Sequence, residues 1–87
     1  MLMSLPITMY GAADCDDTAA LRQYFHQKGV TFREINIDDD PTAEQFVVFI
    51  NAGFRSTPTL VLGSGKQKII LTEPTPQEFE GVLEHFQ

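Results

Sequence analysis

The sequence predicts one α/β domain in which a four-stranded mixed sheet carries helices on both faces, with elements in the order β-α-β-α-β-β-α. Three observations lead there. Short runs rich in strand formers recur at residues 5–10, 31–37, 59–62 and 68–71. The segments 15–28, 41–51 and the stretch after Thr75 show helical spacing with cap residues at their ends. Finally, 87 residues that are 43% hydrophobic and 21% charged suffice for one core and are too few for two, so residues 1–87 are read as a single domain.

The first strand, 5–10, is apolar and is followed by Gly11-Ala12-Ala13-Asp14, which reads as a turn. The first helix then runs from Cys15 to Lys28, with Ala19, Leu21, Tyr24 and Phe25 on its apolar positions and Gly29 at its natural stop. After the second strand, 31–37, the run Asp38-Asp39-Asp40-Pro41 places a capping Asp before a proline whose missing N–H costs nothing at N1. The second helix, 41–51, is expected to bury Phe46, Val47, Phe49 and Ile50 and to stop at Gly53. Strands 59–62 and 68–71 are joined by Gly63-Ser64-Gly65, close enough for an antiparallel hairpin. Thr75-Pro76-Gln77-Glu78 is a capping box, and Phe79, Val82, Leu83 and Phe86 follow as one apolar stripe. A βαβ unit needs parallel strands, so the first half is a parallel pair and the hairpin an antiparallel addition.

The net charge of -6 disfavours nucleic acid and anionic membrane surfaces, whose affinity rests on clustered Lys and Arg. No apolar run approaches the ~20 residues that span a bilayer, and the first residues lack a basic leader, so a cytoplasmic protein is expected. One cysteine excludes an internal disulfide, and with two histidines it excludes a thiol-rich zinc site, so no metal site is expected. Gly63-Ser64-Gly65-Lys66 lacks the first glycine of a phosphate loop and precedes a strand where such a loop needs a helix.

Chemistry therefore centres on Cys15, placed where a strand hands over to a helix whose unpaired N–H groups favour a thiolate. Asp14, Asp16 and Asp17 oppose ionisation; each carboxylate at ~6–8 Å would cost the thiolate roughly 0.5–3 kcal/mol against about 0.3–2 from the helix. A thiol near its free value of ~8.5 or above it is expected. Thr18, one turn on, lies under the sulfur as a possible hydroxyl donor. His26 is eleven residues along the helix, ~16 Å away, and cannot act as base. Arg55 has the charge to hold a substrate carboxylate, and the Thr75 hydroxyl with the last helix N-terminus offers a second place for one.

Two motifs and the element order together resemble the glutaredoxin branch of the thioredoxin fold. They are Tyr10-Gly11-Ala12-Ala13-Asp14-Cys15-Asp16-Asp17-Thr18 and Arg55-Ser56-Thr57-Pro58. In that family an aromatic residue precedes the first cysteine by five positions, as Tyr10 does, and a Thr-Pro pair with a cis proline faces the thiol. Asn51-Ala52-Gly53-Phe54-Arg55-Ser56-Thr57-Pro58-Thr59 and Leu71-Thr72-Glu73-Pro74-Thr75 are most similar to mycoredoxins, where a Cys-x-x-Cys dithiol is common; here Thr18 stands at the second cysteine. The resemblance implies a monothiol thiol–disulfide oxidoreductase with Cys15 as nucleophile, Thr18 beside it, and Tyr10, Arg55, Thr57, Pro58 and Thr75 along the substrate groove. Thr57 would pair with substrate by strand addition. It implies no permanently bound cofactor, a low-molecular-weight thiol of the glutathione or mycothiol kind as co-substrate, protein mixed disulfides as partners, and a monomer. Glutathione-using members carry a Gly-Gly pair where this chain has Thr72-Glu73-Pro74-Thr75. A binding module that keeps the groove without efficient redox chemistry is the alternative. Iron–sulfur transfer, known for relatives with Cys-Gly-Phe-Ser, is disfavoured by Asp16 and Asp17.

Overall fold

The computed structural model describes residues 6–84, so Leu5, His85 and Phe86 lie outside the described residues. Its elements are β1 (Ile7–Gly11), α1 (Asp16–Lys28), β2 (Arg33–Asn36), α2 (Pro41–Ile50), β3 (Thr59–Ser64), β4 (Gln67–Thr72) and α3 (Pro76–Glu84). The order in the sheet is β2-β1-β3-β4. β1 and β2 are parallel, with Thr8 opposite Arg33, whereas β3 runs antiparallel to both β1 and β4. This is the thioredoxin-like α/β arrangement the sequence predicts, and it gathers the C-terminal end of β1, the start of α1 and the start of β3 at one end of the sheet.

Alternation along β1 divides the interior. Ile7 and Met9 point to a core shared with Leu21, Phe25, Leu60, Leu62 and Phe79, which seats α1 and α3 on one face. Phe25 anchors it, with ring centroids 4.9 Å from both Phe32 and Phe79. Each side chain of this size buried fully contributes about 1.5–3 kcal/mol. On the other face, Ile37, Ala43 and Val47 pack with Tyr10, Ile35 and Phe46, which seats α2.

The element boundaries and faces depart from expectation in a few places, each for a local reason. The first helix starts at Asp16, with Cys15 outside it as the cap. Its buried stripe is Thr18, Leu21 and Phe25, and Ala19, a quarter-turn away, is exposed. In α2 the core face is Ala43 and Val47, one turn apart; Phe49 lies about 200° round from Val47 and is 83% exposed. β2 is shorter than residues 31–37, although the Ile37 N–H still donates to the Gly11 carbonyl at 2.9 Å. The hairpin strands are longer, pairing from Thr59 with Thr72 out to Ser64 with Gln67 around Gly65-Lys66. The caps follow expectation. Asp40 accepts the Ala43 N–H at 3.0 Å, Gly29 closes α1 in the left-handed region at φ 69, and Thr75 and Glu78 exchange hydrogen bonds of 2.8 and 3.1 Å.

Candidate functional site

Cys15 is the N-cap of α1. Its backbone is extended (φ -96, ψ 117), its carbonyl accepts the Ala19 N–H at 3.1 Å, and no side-chain hydrogen bond caps the helix. The first-turn amides of a helix have no partner within it, and a thiolate at this position accepts them as a capping oxygen would. In the protonated form the half-buried thiol donates to the Thr57 carbonyl at 3.5 Å. Burial pushes the thiol pKa up, but hydrogen bonds from the Thr18 and Thr57 side chains and from the Thr18 and Asp17 amides outweigh it, so the net shift is downward. The downward direction runs against a thiol raised by its neighbouring acids, the upper end of what the sequence led us to expect. Asp14, Asp16 and Asp17 are exposed, where water and salt screen them, while the donors touch the sulfur.

Thr18 is held there by a close approach of strand and helix. It is fully buried at 0% exposure, and its Oγ1 accepts the Ala12 N–H at 3.5 Å. A Cβ placed on Gly11 would lie 2.4 Å from the Thr18 Cγ2, so glycine at this position is what lets α1 sit so near the end of β1.

Opposite the sulfur, the Thr57–Pro58 peptide bond is cis, as expected, and Pro58 is buried. Its carbonyl accepts the Glu73 N–H at 2.7 Å, which ties this loop to the end of β4. Beneath it, the buried Thr59 hydroxyl donates to the Ser56 carbonyl at 2.8 Å. Asn51 reaches Val47 O at 2.8 Å and Thr59 Oγ1 at 3.2 Å, and accepts from Thr72 at 2.6 Å. The result is a half-buried thiol at a helix start facing a backbone segment locked from below. That geometry suits attack on a sulfur delivered along the Thr57 edge.

The model of the glutaredoxin family matches residues 7–66, which contain β1, the Cys15 turn, the Thr57–Pro58 loop and β3. The chain belongs to the glutaredoxin family. Among solved structures it is similar to the glutaredoxin-like protein NrdH-redoxin from Escherichia coli, at 24% identity over 86% of this chain and 92% of that one, with a TM-score of 0.62. It is also similar to a glutaredoxin from Archaeoglobus fulgidus, at 20% identity over 88% and 84% of the two chains and a TM-score of 0.63. A thioredoxin from Malassezia sympodialis shares the fold at 17% identity and a TM-score of 0.68, over 95% of this chain and 75% of that one. At these identities the likeness is one of fold. The comparison with curated proteins gave no match.

Within this glutaredoxin fold the remaining residues singled out from the sequence sit in different settings. Tyr10 stacks on Phe46 with ring centroids 5.0 Å apart, as part of the core under α2. Arg55 is bound by two carboxylates, Asp38 and Glu44. The Thr75 hydroxyl accepts the Glu78 N–H in the capping box of α3. His26 is exposed on α1 and packs edge-on against Phe32. Sequence reasoning missed Asp38, Glu44 and Asn51. Asp38 was hidden in a capping run whose last member does the capping, and Glu44 and Asn51 are ordinary helix residues until the fold brings them to Arg55, Thr59 and Thr72.

Proposed function

We propose that the protein is a monothiol glutaredoxin that reduces mixed disulfides between proteins and a small thiol, with Cys15 as nucleophile. The observation that carries this reading is the sulfur's position as the open N-cap of α1, 3.5 Å from the carbonyl of the residue before cis Pro58. The Cys15 thiolate attacks the small-thiol sulfur of the mixed disulfide. A disulfide forms between Cys15 and the small thiol, the protein–small-thiol bond breaks, and the protein thiolate leaves and takes a proton. A second small thiolate then attacks the Cys15 adduct, releasing the oxidised small thiol and restoring Cys15. Thr18 cannot perform the second step, so the reductant comes from outside.

Thr18 serves as a donor that favours the thiolate, and the Thr57–Pro58 edge aligns the incoming disulfide. The motif around Arg55-Ser56-Thr57-Pro58 supports a mycoredoxin-type protein; its small thiol is of the glutathione or mycothiol kind, and the lack of a Gly-Gly pair at Thr72-Glu73-Pro74-Thr75 weighs against glutathione. Intact-mass measurement with glutathionylated and mycothiolated peptides tests the reading. One small-thiol adduct is expected, absent in Cys15→Ser and removed by added small thiol. A dead-end adduct, or an unmodified thiol, would instead leave a groove that binds without turnover.

A further inference from the structure

The chemistry above depends on two loops keeping a fixed separation, one carrying Cys15 and the other Thr57, and among the described residues the thiol's bond to the Thr57 carbonyl is what joins them directly. A third segment spans them. The Asp38 carboxylate accepts the Ala13 N–H at 3.4 Å through Oδ2, two residues before Cys15. Its other oxygen, Oδ1, accepts from the Arg55 guanidinium, two residues before Thr57. Arg55 in turn donates through Nε to Glu44 on α2. A guanidinium can meet two carboxylates at once in a planar fork, which an ammonium cannot.

We propose that Asp38 is a positioning residue that, through Ala13 and Arg55, sets the separation between the Cys15 and Thr57 loops, with Glu44 holding Arg55 in that bracket. It rests on the reading of Cys15 as nucleophile. The Asp38 carboxyl is held below the usual carboxylate range by Arg55 and the Ala13 N–H, so the bracket is charged throughout the neutral range. Arg55, engaged by two acids, acts as a structural tie within the site and not as a free anion receptor. The charged groups on the elements packed around Cys15 are Asp14, Asp16 and Asp17 on its own turn, Asp38 and Glu44 from the β2–α2 side, Arg55 from the Thr57 loop, and Glu73, exposed, whose N–H meets the Pro58 carbonyl from the end of β4.

The test is the pH profile of Cys15 alkylation by a neutral iodoacetamide, measured for Asp38→Asn, Arg55→Gln and the double variant. Acting only through space, the two single changes move the midpoint in opposite directions, because one removes an anion and the other a cation. Acting as a bracket, both break the same link. Both then shift the midpoint the same way, by about half a pH unit for a tie this exposed, and the double variant adds little to either. The exchange Asp38→Lys with Arg55→Asp restores an ion pair but offers Ala13 no acceptor, and it is expected not to rescue. Opposite shifts that sum in the double variant, no shift in either single variant, or rescue by the exchange would each overturn the proposal. Alkylation needs no turnover, so failure here is separate from failure of the mixed-disulfide assay. The side chains of Asp38 and Arg55 are about 40% exposed, so these variants are expected to fold.

Discussion

Adding one methyl group at Gly11 should disturb both stability and the thiol. In Gly11→Ala the new Cβ would stand 2.4 Å from the Thr18 Cγ2, 3.1 Å from its Oγ1 and 3.3 Å from its Cβ. Thr18 is fully buried on α1, and a β-branched side chain in a helix has few rotamers to escape into, so the helix start must move off the strand. Overpacking of this kind costs about 1–3 kcal/mol, which for a domain of this size lowers Tm by roughly 4–8 °C per kcal/mol. Thr18→Ser removes the offending Cγ2 and keeps the hydroxyl, at about 1 kcal/mol for the lost methyl. Urea titrations of the two single variants and the double variant form a cycle, in which the cost of Gly11→Ala should fall by at least about 1 kcal/mol in the Ser background. An equal cost in both backgrounds, or a cost below about 0.5 kcal/mol in the Thr background, would refute the close-approach argument.

Four further outcomes follow from the structure. Thr18→Val removes a donor that favours the thiolate, so the Cys15 alkylation midpoint should move to higher pH, by about half to one unit; a lowered midpoint contradicts the assignment. Glu73 holds φ 50, a left-handed conformation that costs a non-glycine residue about 1–2 kcal/mol, and glycine loses roughly 0.5–1 in return, so thermal melts of Glu73→Gly should show equal or slightly higher stability. The Asp38 carboxyl is depressed in the folded state, so its contribution is present above the unfolded value of ~3.9 and lost as pH falls through the folded one; Asp38→Asn should flatten the acid limb of the stability curve below about pH 4, and an unchanged limb counts against the tie. With exposed Asp14, Asp16 and Asp17 beside the sulfur, a cationic methanethiosulfonate should outpace an anionic one by about tenfold beyond their ratio with a simple thiol, and 0.5 M salt should erase most of that excess.

Much of the fold was legible because its signals are local. Gly29, Asp40 and the Thr75–Glu78 box mark helix ends through side chains within a few residues, and each performs that task. Strand–helix order is likewise carried by short-range periodicity. What could not be read is what depends on angle or on distance across the fold. Phe49 belongs to an apolar run, but only the helix phase set by Ala43 and Val47 shows that it faces outward. Arg55 offered a free cation in sequence, and only the fold brings Asp38 and Glu44 to it, 17 and 11 residues away along the chain. Gly11 read as a turn glycine, whereas it ends β1 and is needed for the approach of Thr18.

The direction of the Cys15 shift shows why the acids misled. Counting carboxylates near a thiol in sequence treats every charge as acting through the same medium. In the fold, the groups that favour the thiolate touch the sulfur, two threonine side chains and two first-turn amides, and act across a contact where little water intervenes. The carboxylates beside it point into solvent, where their effect is screened by salt. The two influences therefore separate by range. Contact donors govern how much Cys15 is ionised, and this should change little with ionic strength. The exposed acids govern which charged disulfides approach it, and this should change strongly. A salt series on a single sample, following the alkylation midpoint with a neutral reagent and the rate ratio with charged ones, should move the second far more than the first; parallel movement would place the acids, and not the contacts, in control of the thiol.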